Sequence, residues 1–370
     1  MPGPGCSFSV DPDITVARTL PSSFYLDDAV FAAVRERVFA RTWQWLGDTA
    51  DVAEPGSFSP RTLAPGALDE PLLLARDGAG MLRALSNVCT HRGHLLADKP
   101  CRGPQVRCPY HGRRFDATGR MVAMPGFDGA RDFPGPRDHL PQLPLGTWAG
   151  QAFAALQPPQ QTLDDWLAPV RRRVGWLPVD RFVHDPSRDR TFEFDAHWAL
   201  YVENYLEGLH IPFIHPGLTR TLDWRGYRYE LFDGGNLQLG IAAADEPTFD
   251  AIPEGHPEHG QRIAAWYFWL FPNLMLNFYP WGLSVNLVMP LSPGRTRVWF
   301  RSYVHDTSRL GQGAGGALDP VELEDEAAVQ SVQRGLRSRL YRDGRYSPQH
   351  ERGTHQFHRL LALALGDQTI

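Results

Sequence analysis

Two short segments of the sequence each combine a cysteine with a histidine at the spacing of metal ligands. Cys89 and His91 form a Cys-x-His pair, and Cys108 and His111 form a Cys-x-x-His pair after sixteen intervening residues. Two thiolates can bind one iron of a [2Fe-2S] cluster while two neutral imidazoles bind the other, which raises the reduction potential above that of an all-cysteine cluster. The same four residue types also suit a tetrahedral structural Zn²⁺ ion, so spacing alone leaves both metals open.

A second group of residues with metal-binding side chains lies in the middle of the chain. Asn204, Glu207 and His210 follow one another at intervals of three, which predicts that they project from one side of a helix. Pro212 is expected to break this helix, so that His215 can turn back towards His210. The alternative is a capped helix and a pair of hydrogen-bonded core histidines.

A carboxylate further along the chain is the candidate for a third ligand. A projection at about 100° per residue places Asp325 at the centre of the apolar stripe of a later helix. Glu322, Glu324 and Glu326 fall towards the edges of the stripe or off it. The apolar members of the stripe are Val321, Ala328, Val329, Val332, Leu336 and Leu340.

Asp325 therefore needs a partner, because a buried carboxylate costs several kcal/mol unless it is paired or binds a metal. Arg297 and Arg301, in preceding strands, are one possible source of a partner. The other is a metal: His210, His215 and Asp325 would form the two-histidine, one-carboxylate face that holds Fe(II) and leaves positions open for O₂ and substrate.

The sequence around the first motif, CTHRGH and CPYHGRRFD, resembles the two loops of Rieske domains along their full length. This resemblance favours the iron-sulfur cluster over zinc. Rieske proteins of respiratory complexes usually add a second cysteine to each loop to form a disulfide, whereas His94 and Tyr110 occupy those positions here. The remaining cysteines, Cys6 and Cys101, are expected to be ordinary thiols.

The order of the motifs over nearly the whole chain resembles the large (alpha) subunits of Rieske non-haem iron oxygenases. The resemblance implies a Rieske [2Fe-2S] cluster, a mononuclear Fe(II), and catalytic roles for Asn204 and Glu207. In that family the acid three residues before the first histidine ligand is usually Asp and bridges the two metal centres. Glu207 at this position resembles the carnitine monooxygenase branch, and residues 324–348 resemble the C-terminal segment of choline, carnitine and glycine-betaine oxygenases.

The resemblance implies a terminal oxygenase that hydroxylates a small organic substrate, such as a quaternary ammonium compound with cleavage of a C–N bond. An aromatic ring-hydroxylating dioxygenase large subunit is an alternative, and a Rieske electron-transfer protein without oxygenase activity is a rival of another class. Related oxygenases form trimers, so Glu207 would connect His210 to His111 of the partner subunit. No nucleotide-binding fingerprint occurs, so electrons are expected from a separate NAD(P)H-dependent reductase with flavin and iron-sulfur centres.

The elements that must position these residues divide the chain into an N-terminal segment and two domains. Residues 1–40 are expected to pack on the catalytic domain, and residues 41–156, with short strands between Gly, Pro and Asp turns, form an all-β Rieske domain. Residues 157–370 form the catalytic domain, for which the resemblance implies a helix-grip (START-like) fold with an antiparallel sheet. The fold class is therefore α+β, with a predicted hairpin around Gly234 and Gly235.

Composition limits the possible partners. Hydrophobic residues at 42% and charged residues at 21% lie in the ordinary globular range. The net charge of −5 leaves no basic stripe for nucleic acid. The longest apolar run, Ile263 to Phe271, is far shorter than the ~20 residues that cross a bilayer, and the first residues do not resemble a secretory signal. A cytoplasmic protein is expected.

Overall fold

The computed structural model describes residues 8–215, 217, 228–316 and 318–366. Contacts between Cα atoms divide the chain into two compact units, one of residues 39–163 and one that joins residues 1–38 to residues 164–370. The boundaries predicted from the sequence were 40/41 and 156/157. Cys6 lies outside the described residues.

The unit of residues 39–163 is built from short antiparallel strands. They are β1 (Gln44–Asp48), β2 (Ser57–Leu63), β3 (Glu70–Arg76), β4 (Leu82–Ser86), β5 (Cys101–Arg102), β6 (Gln105–Arg107), β7 (Arg114–Asp116), β8 (Met121–Ala123), β9 (Gln142–Leu143), β10 (Leu145–Trp148) and β11 (Gln151–Ala154). They form three sheets, with the orders β1-β11-β10, β5-β2-β3-β4-β9 and β6-β7-β8. The first cysteine-histidine pair lies between β4 and β5 and the second between β6 and β7, so both pairs are on loops held by strands.

The other unit combines helices with one large sheet. The helices are α1 (Ser22–Leu26), α2 (Asp28–Arg37), α3 (Leu163–Val174, which begins at the unit boundary), α4 (Trp198–Tyr205), α5 (Ile211–Ile214), α6 (Leu318–Gly335) and α7 (Arg352–Leu365). The strands are β12 (Val183–His184), β13 (Arg190–Phe194), β14 (Arg228–Phe232), β15 (Gly235–Ile241), β16 (Ile263–Leu270), β17 (Leu274–Tyr279), β18 (Gly282–Ser292) and β19 (Arg295–Val304). The predicted α+β class with antiparallel sheets is confirmed.

The large sheet has the order β12-β19-β18-β17-β16-β15-β14, and β13 also pairs with β19. The predicted hairpin is confirmed: Phe232 pairs with Gly235, so Asp233 and Gly234 form a two-residue turn with Gly234 at φ +74°. All eight residues of β16 are buried, so neither face of this strand is open to solvent.

The sequence predicted one helix with Asn204, Glu207 and His210 on one side, and the predicted length is wrong. Helix α4 ends at Tyr205, so Glu207 and His210 lie in a turn between α4 and α5. The Glu207 carboxylate accepts hydrogen bonds from the backbone N–H groups of Leu209 and His210, which fixes this turn. Pro212 does not break a helix but stands in the first turn of α5, where its missing N–H costs no hydrogen bond.

The stripe predicted on the later helix is wrong at its end. Helix α6 stops at Gly335, so Leu340 lies beyond it and is 97% exposed, and Val332 is 49% exposed. Glu322, which the projection placed away from the centre, is only 4% exposed, and Tyr201 of α4 donates a hydrogen bond to it. A short 3-10 turn, Gly313–Gly315, precedes α6.

Across the described ranges, each helix is either too short or too polar to cross a bilayer.

Candidate metal centres

The two loops that carry the cysteine-histidine pairs are closed by the same backbone hydrogen bonds. In the first loop the N–H of Cys89 donates to the carbonyl of His94 over 2.8 Å, and the N–H of Gly93 donates back to the carbonyl of Cys89 over 3.0 Å. The second loop repeats both bonds at Cys108 and Gly112 with the same lengths. Gly93 and Gly112 have φ of +71° and +76°, a conformation that glycine adopts without strain. Each cysteine is thus held at the start of a tight turn.

The four candidate cluster ligands converge from these two loops. Cys89 and Cys108 are buried, and the imidazole rings of His91 and His111 lie 4.7 Å apart between centroids. His91 Nδ1 is buried and has no hydrogen-bond partner within the described residues, as expected of a nitrogen that binds metal. Burial, with the nearby positive groups, lowers the pKa of His91 and favours the neutral form that can be a ligand. Two thiols and two imidazoles on facing loops fit a Rieske cluster.

Arg113 connects the two loops and was not identified from the sequence. Its buried guanidinium donates to Thr90 Oγ1 at 2.8 Å and to Asp138 Oδ1 at 3.2 Å. The rings of Phe127 and Phe133 lie 5.6 and 5.3 Å from it, within cation-π range. The arginine pair after the Cys-x-x-His motif was the available signal, but which arginine turns inward depends on the tertiary structure.

Aromatic contacts occupy the positions where respiratory Rieske loops carry the disulfide. The ring of Tyr110 lies against that of His111 at 3.7 Å between centroids, and His94 lies 5.9 Å from Tyr110. The two loops therefore approach each other at these positions through the tilted rings of His94 and Tyr110.

The first prediction concerns the histidines of the cluster. His91→Cys and His111→Cys should each keep an iron-sulfur chromophore but lower its potential towards the roughly −400 mV of all-cysteine clusters, because thiolate donates more negative charge than imidazole. Redox titration followed by visible absorption measures this shift. His94→Ala, in the same loop, is the control and should leave the potential unchanged. Identical potentials in all three variants would rule out histidine ligation.

The second candidate centre lies in the unit that contains the large sheet. One possible ligand atom each from His210, His215 and Asp325 lies within 4.8 Å of the other two. Asp325 Oδ1 is 3.0 Å from His215 Nε2 and 3.7 Å from His210 Nε2. Two imidazoles and one carboxylate on one face are the donor set of non-haem Fe(II) sites, so the residues fit this metal.

The other nitrogen of each imidazole is held by a carboxylate. His210 Nδ1 lies 2.6 Å from Glu207 Oε1, and His215 Nδ1 lies 2.7 Å from Glu324 Oε2. Such contacts orient an imidazole so that Nε2 points to the metal. Burial opposes the charge on His215, but Asp325 and Glu324 together hold its pKa above the ordinary value. The carboxylates of this site therefore favour a positively charged group beside them.

A cavity of about 120 Å³ adjoins these residues. Asn204, in the last turn of α4, lines it together with Glu207, as do the three candidate ligands. Its wall is otherwise mostly aromatic, amide and aliphatic: Tyr201, Tyr205, Ile211, Tyr267, Asn277, Tyr279, Asn286, Phe300, Ala314, Leu318, Val321 and Glu322. The structure thus brings every predicted residue of this site to one cavity.

The arginine pairing considered for Asp325 is wrong. Arg297 pairs with Glu193, and Arg301 Nε lies 3.4 Å from Asp189 Oδ2. Asp325 faces the two histidines instead. Glu324 was missed as a contact of the metal site and Glu322 as a member of the cavity wall, because a helical projection gives directions but not neighbours.

The second prediction concerns the carboxylates of α6. Asp325→Ala should remove the mononuclear iron while the Rieske spectrum stays intact, because the two centres use separate ligands. Glu324→Ala should lower iron affinity about 10–100-fold, because it frees the orientation of His215. Iron quantitation with EPR of the purified protein measures both effects.

Glu326→Ala is the matched control on the same helix, since Glu326 contacts neither imidazole among the described hydrogen bonds and should keep its iron. Equal iron loss in the Asp325 and Glu326 variants, or loss in neither, would mean that Asp325 is not the ligand.

Comparison with protein families agrees with both centres. A model described as the Rieske [2Fe-2S] domain matches residues 42–134. A model described as the ring hydroxylating alpha subunit (catalytic domain) matches residues 176–366, more than half of the chain.

Relatives of known activity extend over nearly the full length. Choline monooxygenase of Arabidopsis thaliana is 29% identical over 95% of this chain and 84% of its own. The carnitine monooxygenase oxygenase subunit of Escherichia coli is 29% identical over 95% of both chains. The solved structure of a quaternary ammonium Rieske monooxygenase, in complex with an inhibitor, is similar with a TM-score of 0.76 at 25% identity and covers 95% of this chain and 96% of that one.

Proposed function

Because this chain belongs to the family of ring-hydroxylating alpha subunits and carries a Rieske [2Fe-2S] domain, it is a Rieske oxygenase subunit, and we propose that its substrate is a quaternary ammonium compound. The match of a catalytic domain argues against a pure electron carrier. In this proposal residues 41–156 carry the cluster on Cys89, His91, Cys108 and His111, and residues 157–370 hold the iron on His210, His215 and Asp325. The same proposal has the N-terminal segment, residues 1–40, pack on the catalytic domain.

The observation that carries the substrate class is the lining of the cavity. Four tyrosines and Phe300 face it, and none of its described lining residues is lysine or arginine. Aromatic faces attract quaternary ammonium groups by cation-π contact, and carboxyl groups in the same wall favour a cation further. The activities named for the relatives point the same way, since both act on compounds with a quaternary nitrogen.

The residues of the site have distinct tasks in this reaction. When bound, the iron supplies O₂ activation at the coordination positions that the three ligands leave open. Glu207 and Glu324 hold the imidazoles in the orientation that binds metal, and the buried strands β16 and β17 exclude water from the back of the cavity. The C–H bond to be hydroxylated must lie between this wall and the histidines.

The third prediction tests the substrate class. With its reductase and NADH, the purified protein should consume O₂ on addition of choline or L-carnitine, and ¹⁸O₂ should label the product or the aldehyde from C–N cleavage. Naphthalene tests the aromatic alternative in the same assay. Turnover of naphthalene without turnover of any quaternary ammonium compound would refute the proposal.

The electron path is the second part of the proposal. A separate NAD(P)H-dependent reductase with flavin and iron-sulfur centres would reduce the cluster, and the chain would form a homotrimer in which Glu207 connects His210 to His111 of the partner subunit. Within the chain, Glu207 accepts from His210 Nδ1 and from two backbone N–H groups. A carboxylate offers about four acceptor positions, so one remains for a second imidazole. The cytoplasmic location stays a prediction from the sequence.

The fourth prediction tests this path. Glu207→Gln should keep both metals but slow product formation, because an amide has a single acceptor oxygen and cannot serve all of these donors. A single-turnover assay on pre-reduced protein compares oxidation of the cluster with product formed per iron. Glu324→Gln makes the same change beside His215, and at full iron content it should leave that coupling intact. Normal coupling in the Glu207 variant would show that electrons take another route.

A further inference from the structure

Glu322 is a buried carboxyl group in the wall of the cavity. It is neither a candidate metal ligand nor one of the carboxylates that contact the outer nitrogens of the imidazoles. It lies on α6 one helical turn before Asp325 and is 4% exposed. Its Oε2 accepts a hydrogen bond from the hydroxyl of Tyr201 at 2.7 Å. Its Oε1 is buried without a partner among the residues that the structure describes.

In the described part of the chain, the groups with the largest effect on Glu322 carry no positive charge. Burial raises its pKa well above the ordinary value, and the neighbouring acids Asp325, Glu326 and Asp319 raise it further, against the hydrogen bond from Tyr201. All of these neighbours are acidic or neutral. A carboxyl group in such a place is costly unless a cation or a further donor reaches it.

We infer that Glu322 recognises the positive charge of the substrate, and that the Glu322–Tyr201 pair forms the ammonium subsite of the cavity. The inference rests on the proposed function, because it specifies which group distinguishes a quaternary ammonium compound from a neutral molecule of the same shape. A bound cation favours the ionised carboxyl group, since an opposite charge stabilises it.

The aromatic wall alone would not make this distinction. Tyr267 and Tyr279 lie edge to face at 5.8 Å between centroids in the same cavity. Such rings accept a cation, but they also accept a neutral apolar group through contact area. The unpaired carboxyl oxygen has no favourable partner in a hydrocarbon, so only a charged ligand gains from Glu322.

The position of Glu322 also specifies which carbon atoms are next to the iron site. Residues three apart on a helix have Cβ atoms about 5–6 Å apart, so Glu322 and Asp325 face neighbouring parts of the cavity. A nitrogen held beside Glu322 places the carbon atoms attached to it closest to the two histidines. Hydroxylation next to nitrogen is therefore the expected outcome.

The fifth prediction uses a pair of ligands that differ in charge alone. Choline and its neutral isostere 3,3-dimethylbutan-1-ol have the same shape, and the wild-type iron-loaded protein should bind choline more tightly in anaerobic calorimetry. Glu322→Gln keeps the acceptor for Tyr201 and removes the charge, so it should weaken choline binding roughly tenfold or more while binding of the isostere changes little. Tetramethylammonium should follow choline.

Glu326→Gln is the control, because it removes a carboxyl group one turn later on α6, from a side chain outside the cavity lining. It should leave the preference for choline intact. Iron content and the Rieske spectrum verify that each variant is folded and loaded.

The outcomes separate this inference from the proposed function. Wild-type protein that neither binds nor oxidises any quaternary ammonium compound would refute the proposed function itself. Wild-type protein that oxidises choline, with a Glu322→Gln variant that still prefers choline over the isostere to the same extent, would overturn only the role of Glu322. An equal loss of affinity for both ligands would also overturn it, since that pattern indicates a change of shape.

Discussion

Four carboxyl groups gather around two imidazoles in the larger unit, and this excess of negative charge constrains everything near it. Glu207 and Glu324 contact the outer nitrogens of the histidines, Asp325 lies between the inner nitrogens, and Glu322 stands one turn away. Of the four, Glu322 is buried and the other three are partly buried, and acids this close together repel one another. A positive charge in the space between them would relieve this repulsion. The iron would supply one such charge and, in our inference, the substrate would supply another.

The fold maintains this charge cluster by anchoring α4 and α6 to each other. Tyr201 of α4 donates to Glu322 of α6, and Gln333 near the end of α6 accepts from the backbone N–H of His197. Between these contacts the helices cannot slide without breaking a buried hydrogen bond, which costs about 1–3 kcal/mol each. The turn after α4 then only has to direct two histidines towards a carboxylate whose place is already fixed.

In the smaller unit, the two loops that carry the candidate cluster ligands have the same backbone structure. Both loops use the same two backbone hydrogen bonds and a glycine with positive φ four residues after the cysteine. The loops differ in whether the histidine follows the cysteine by two or three residues. Arg113 then joins them through Thr90, so that two independent turns present their ligands to one cluster.

The sequence by itself determined the residue types and spacings that carry the chemistry. Metal ligands of the Rieske kind must be cysteine and histidine on tight turns, and the order of motifs led from there to the fold class and to a family that the comparisons confirm. The hairpin at Gly234 was also predictable, because an Asp-Gly pair between strands has few other conformations. These constraints act between residues close together in the chain, so the residue types and their spacing are enough to predict them.

The tertiary structure decided which groups become neighbours across the chain. A projection could place Asp325 on a buried stripe, but it could not place Glu324 against His215 or bury Glu322 under Tyr201, because both contacts join residues more than 100 positions apart. It also overestimated the helix after Asn204, where the Glu207 carboxylate captures the backbone N–H groups that a longer helix would have used. Packing decides which side chain becomes the hydrogen-bond partner of a buried polar group, and packing exists only in the folded chain.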